Sequence, residues 1–224
     1  MRQPSPRVAA AHLLLTVLLG ATACDVDDAR NRDDRTADTC KSLLGEAGTA
    51  WVKGSSARET GVVDVVDLGS AKARFREDAM SWSGDEDKVS RFSGSEVCRI
   101  VVRDQSPHTS ALSLRFGASA FPFDSPFGEK NAVYDDETLT PVNEDVRLVT
   151  RRSGGSTSYD VYVRCRVPGA PEGQETGVPL QGSLTDTLTG GTAREERQKY
   201  LLHAAGVVAK RFDCRNHPVV PDRP

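Results

Sequence analysis

Beyond residue 20 the sequence has no long apolar run, and only 6% of its residues are aromatic. The first shortage predicts no membrane-spanning helix there, since one needs about 18 or more consecutive apolar residues. The second predicts a core built from aliphatic side chains. Positive charge is also short: a net charge of −3 offers no cationic footprint for nucleic acid. Histidine is rare, with four in the chain, and His12 falls in the apolar opening stretch. There is no G-x-S-x-G elbow, no H-E-x-x-H pair, no P-loop and no G-x-G-x-x-G turn. No catalytic residue, metal ligand set or cofactor is assigned, and enzyme activity is not the favoured reading.

What is present begins with MRQPSPRVAAAHLLLTVLLGATAC. Arg2 and Arg7 precede an apolar run from Val8 to Leu19, and Gly20 to Ala23 are small. A positive start, a short apolar centre and small residues at a cleavage point form a secretory signal. The small residues end on Cys24. Ala21-Thr22-Ala23-Cys24 resembles the bacterial lipobox, with Ala21 where Leu is usual. That resemblance implies a diacylglyceryl group on the Cys24 sulfur and cleavage just before it, so that residues 1–23 are a signal peptide. Two acyl chains on one residue suffice for stable anchoring. The expected location is the outer face of the cytoplasmic membrane, with the membrane itself as a partner through the lipid. The competing expectation is an ordinary secreted protein in which Cys24 pairs elsewhere. Five cysteines leave one over after two disulfides, which an exported chain must account for.

After Cys24 the chain continues as DVDDARNRDDRTAD, residues 25–38, charged and without an aromatic, so that 24–38 read as the lipidated Cys and a disordered acidic tether. A calcium loop is the alternative. The stretch lacks the glycine turn and the bidentate Glu at position 12 of an EF-hand. Residues 39–218 form the extracytoplasmic domain, and 219–224 a flexible tail.

Within the domain, SYDVYVRCRV alternates Tyr159, Val161, Val163, Cys165 and Val167 with polar residues, a strand with one buried face. SEVCRIVVRD and ALSLRFG pair as a hairpin with a longer loop. Val62–Val66, Asp145–Thr150 and Ser183–Thr189 are weaker strands. TAREERQKYLLHAAGVVAKRF is the best helix, with Thr192 and Glu195 as a capping box and Leu201, Ala204, Ala205, Val208 and Phe212 on one face. A second helix spans Cys40–Lys53 with Leu43, Leu44, Ala47 and Trp51 as its stripe, and a third spans Ala71–Trp82. Strands in runs with few helices between them predict an α+β fold: an antiparallel sheet covered by two or three helices. A Cys-Arg pair late in a strand recurs at Cys98 and Cys165, an echo of two related halves, 39–120 and 145–218.

Cys40, Cys98, Cys165 and Cys214 allow three pairings. Cys98 and Cys165 point from the apolar faces of strands, and Cys40 and Cys214 sit at helix ends. Cys40–Cys98 and Cys165–Cys214 therefore staple each helix to the strand beneath it. Taken with the lipobox and the tether, the pattern resembles the small two-disulfide exported lipoproteins of actinobacteria, whose activities are mostly unassigned.

FGASAFPFDSPFGEKNAVY concentrates the rings in one irregular segment. Phe121, Phe123, Phe127 and Tyr134 are its candidate interaction residues, since exposed apolar patches mark contact sites. The bland alternative is that they close the end of the core. SGGSTS, 153–158, is a hairpin tip. The resulting expectation is a non-enzymatic binding or interaction module for an envelope protein or small ligand. The alternatives are an envelope hydrolase using His108 or His203 with a Ser and a carboxylate, or a structural spacer. His203 reads more simply as the rim of a helix interface.

Overall fold

The computed structural model describes residues 26–56, 58–63, 65–84, 92–103, 110–125, 136–153, 156–191 and 194–224. The elements run α1 (Val26–Ser55), β1 (Thr60–Val62), α2 (Leu68–Ser81), β2 (Ser95–Val102), β3 (Ala111–Ala118), β4 (Asp136–Pro141), β5 (Val146–Ser153), β6 (Ser156–Val163), α3 (Gln174–Gly177), β7 (Leu180–Asp186) and α4 (Arg194–Arg211). All seven strands share one sheet, ordered β1-β2-β3-β7-β6-β5-β4, and every neighbouring pair is antiparallel. The fold is α+β, as the alternation patterns predict. Residues 39–120 supply β1–β3 and 145–218 supply β5–β7. The two stretches meet where β3 pairs with β7 from Leu112↔Asp186 to Ala118↔Leu180.

Period two puts Ile100, Leu112, Leu114, Phe116, Leu148, Val161, Val163 and Leu184 into one buried cluster with residues of α1, α2 and α4. α4 contributes Leu201, Ala204, Ala205 and Val208, and α2 contributes Ala71, Phe75 and Ala79. Rings are few but placed at helix crossings: Trp51 of α1 stacks on Tyr200 of α4 at 4.9 Å, and Phe75 of α2 on Phe212 at 5.6 Å. Both disulfides form as the helix-to-strand argument requires. Cys40–Cys98 ties α1 to β2, with Cα atoms 5.0 Å apart. Cys165–Cys214 ties the extension of β6 to the end of α4, with Cα atoms 4.9 Å apart.

Five features depart from the sequence expectations. First, the stretch expected to be a disordered tether is helical from Val26 onward. It contains no Gly or Pro, its inner end packs on the domain at Thr36, which is buried, and within the helix the Thr39 hydroxyl donates to the Arg35 carbonyl at 2.9 Å. Second, α1 breaks phase at Gly45, whose backbone sits at φ 69, ψ 175. After that kink Gly48 and Val52 face inward and Ala47 is exposed, while Leu43, Leu44 and Trp51 hold the expected stripe. Third, the tail is docked. Val219 donates its N–H to Asp145 Oδ2 at 3.0 Å and accepts from Asn143 Nδ2 at 2.8 Å, and Val220 packs over Gly206.

Fourth, β6 leaves the ladder after Val163 although Cys165 and Val167 keep the alternation. Side-chain amides take over where the ladders to β5 and β7 end. Gln174 accepts from Val167 N–H and donates to the Cys165 and Val178 carbonyls. Asn216 accepts from Arg166 N–H and donates to the Arg164 carbonyl. Fifth, β6 is buried on both faces, since Asp160 and Tyr162 are as inaccessible as Val161. β4 and α3 have no counterpart among the sequence expectations. The capping residue Thr192 and the tip residues 154–155 lie outside the described residues, although the strands beside that tip pair up to Ser153↔Ser156.

Candidate functional site

The aromatic segment after β3 divides into a buried part and a surface part. Phe123 is a correction to the interaction-loop expectation: it is 1% exposed and offers no contact surface. It clusters with Val149 and Tyr162, apart from the main core. Arg147 and Arg164 place their guanidiniums 4.7 and 4.5 Å from its ring centroid. Phe121 is half-buried. Phe127 and Tyr134 lie outside the described residues, as do Cys24 and His108.

Around that anchor the chain builds a cleft. Phe123 N–H donates to the Thr176 carbonyl at 2.8 Å and Ser119 N–H to the Pro179 carbonyl at 3.0 Å, tying the segment to α3 and its exit. The Ser119 hydroxyl donates to the Phe121 carbonyl at 2.8 Å, and Ser125 N–H to the Pro122 carbonyl at 3.1 Å. Opposite stands Trp82, whose extended backbone ends α2. Its indole rests on α3, where glycine is required twice. Gly173 has φ 83, and a Cβ on Gly177 would lie 2.3 Å from Trp82 Cζ2. Trp82, Pro122, Asp124, Ser125, Thr176 and Gly177 are among the residues that bound a cleft of about 420 Å³. Among the described residues, Asp124 is its only charged lining residue. Its Oδ1 accepts from Arg147 at 3.0 Å and Arg164 at 3.4 Å, and the side chain stays 58% exposed.

A buried polar network occupies the same sheet face. Arg151 donates to Glu137 at 2.9 Å, to Tyr162 Oη at 2.9 Å and to Asp160, which also accepts from Gln181 at 3.3 Å. Burial pushes the Asp160 carboxyl above the ordinary range against the pull of Arg151, and raises Tyr162 as well. These groups cross-link β4, β5, β6 and β7. Nothing in the alternating pattern marks Asp160 as buried.

His203 lies half-buried on α4, as the rim reading expects, with its ring against Gly45 at the kink. It faces Asp222 at 3.9 Å. Together with His217 it borders a second cleft, of about 610 Å³, between α4 and the tail; among the described residues no serine lines it. Among the described residues no group of three or more His, Cys, Asp or Glu could hold a metal ion, and no helix is long and apolar enough to cross a membrane.

No family model, curated protein or solved structure matches the chain.

Proposed function

We propose that this chain is a lipoprotein anchored through Cys24 on the outer face of the cytoplasmic membrane, presenting a non-enzymatic binding domain to the envelope. The observation that carries the anchor is cysteine use. The two disulfides consume four of the five cysteines, and the remaining one, Cys24, is the residue that follows the signal-like run and its small neighbours. Disulfides in a domain of this size suit an oxidising, extracytoplasmic compartment. The cleft at Trp82 supports binding over a bare spacer role, since a spacer needs no such concavity.

The test is Cys24→Ser with fractionation and mass analysis of the N-terminal peptide. The parent should partition with membranes and carry the mass of a diacylglyceryl group. The variant should lose that mass and either appear in the soluble fraction or accumulate unprocessed. A variant that stays membrane-bound and is processed normally overturns the anchor.

A further inference from the structure

We infer that the Trp82 cleft is a saccharide subsite that takes a neutral pyranose ring. The inference rests on the binding-domain reading and names the ligand class for that site.

Size admits a small ligand: about 420 Å³ lies within the roughly 300–1,000 Å³ typical of such pockets. Charge then restricts it. Asp124 is the one ionised side chain among the described lining residues, so an anionic ligand meets a carboxylate before the Arg147 and Arg164 guanidiniums bonded to it. A cationic ligand fares no better, because two guanidiniums already share Asp124 Oδ1. A wholly apolar ligand would strip water from a carboxylate that is now 58% exposed, without replacing its hydrogen bonds. A neutral polyol avoids all three costs. Its hydroxyls donate to Asp124 and exchange hydrogen bonds with the Ser125 and Thr176 hydroxyls.

The aromatic wall selects a ring over an open-chain polyol. Trp82 is held by contact with Gly173 and Gly177, and α3 is tied in turn to Phe123 through Thr176. One flat face of a pyranose carries axial C–H groups with partial positive charge, which complement the negative face of an indole. A polyol without such a face gains little from a fixed ring. Trp82 and Asp124 therefore have separate roles, since the indole recognises the ring's plane and the carboxylate its hydroxyls.

The chain has two tryptophans, and the other, Trp51, is stacked on Tyr200 between α1 and α4. Tryptophan emission of the full-length chain, titrated with maltotetraose, chitotetraose and tetragalacturonic acid, tests the inference. A saturable change with a neutral oligosaccharide is expected. It should vanish in Trp82→Phe, where Trp51 alone reports. It should weaken about tenfold in Asp124→Asn, the loss expected for one charge-assisted hydrogen bond, in a variant whose cooperative melting shows that it still folds. The inference is overturned by no saturable change with either neutral oligosaccharide, by an equal or stronger response to the anionic one, or by a response that survives in Trp82→Phe. Fractionation of Cys24→Ser is scored separately, so lost sugar binding with retained anchoring removes the ligand alone, and the reverse result removes the anchor alone.

Discussion

The side-chain amide of Gln174 donates to the carbonyl of Cys165 at 3.2 Å, so a glutamine takes over where the pairing of β6 with β7 ends. Gln174 is fully buried and also bonds Val167 N–H and the Val178 carbonyl, each at 2.9 Å. One side chain thus satisfies three backbone groups beside the Cys165–Cys214 disulfide, and holds α3 against the end of β6. Gln174→Leu keeps the volume and leaves those groups unpaired. At roughly 1–3 kcal/mol for each buried orphan, the variant should lose about 3–5 kcal/mol. Urea unfolding should show a lower midpoint with an unchanged slope.

The two disulfides close separations of 58 and 49 residues. In the chain-entropy treatment each constrains the unfolded state by about 4 kcal/mol. Cys165→Ala with Cys214→Ala should therefore destabilise by about that amount, and Cys40→Ala with Cys98→Ala by a similar amount. Peptide mapping of the unreduced protein should recover only Cys40–Cys98 and Cys165–Cys214. A peptide joining Cys40 to Cys214 contradicts this topology.

Much of this architecture is legible in the sequence because it follows from short-range rules. Alternation locates β2, β3 and β6, helical spacing locates α4, and cysteine position on strand faces and helix ends selects the pairing. What escapes is set by distant partners. Asn143 and Asp145 hold Val219, a contact that the tail's own composition does not reveal. β4 is a short edge strand ending in Pro141 with no buried stripe. The cleft joins Trp82 to Gly173 and Gly177, residues far apart in sequence whose glycines have meaning only once the indole is above them. The aromatic segment misleads because ring composition does not distinguish a ring between two arginines from a ring in water.

That last distinction can be measured. Phe123 is buried against Val149 and Tyr162, whereas Phe121 is half-buried on the surface. Phe123→Ala should cost about 3 kcal/mol or more, the usual range for a buried phenylalanine. Phe121→Ala should cost less than about 1 kcal/mol. Thermal melts of the two single variants decide the matter, and equal losses would show that the segment does not divide into a buried and a surface part.

Acid sensitivity should come in part from the start of α2. Asp67 caps it, accepting from Ser70 N–H at 2.9 Å and from the Ser70 hydroxyl at 2.7 Å. Those bonds hold its carboxyl below the ordinary value of 3.8. A depressed folded-state pKa means that the stabilisation is complete above the unfolded pKa and is lost as pH falls through the folded one. Lys72 lowers Asp213 in the same direction. Asp67→Ala should cost about 1 kcal/mol near neutral pH, as for other lost N-caps. The difference in melting temperature between variant and parent should close as pH falls below about 4. A gap that stays constant through that window would show that the cap does not act through its charge.

Gly45 should be costly to replace for a conformational reason. Its φ of 69 with ψ of 175 lies in a region open essentially to glycine alone. An added Cβ would also stand 3.2 Å from His203 Nε2, closer than the ring tolerates without shifting. The kink it permits turns Gly48 and Val52 inward and seats Trp51 on Tyr200. Gly45→Ala must strain the backbone or straighten the helix, and straightening would rotate those residues out of the α4 interface. The expected loss is about 1–3 kcal/mol. Gly54, near the end of the same helix, provides the control. Its Cβ would meet nothing within 4 Å, and its φ is not in the left-handed region. Gly54→Ala should be neutral or stabilise by up to about 1 kcal/mol through the unfolded chain. Chemical unfolding of the two alanine variants side by side separates a conformational requirement from a general preference for alanine in helices: opposite signs support the kink, and stabilisation by both would remove it.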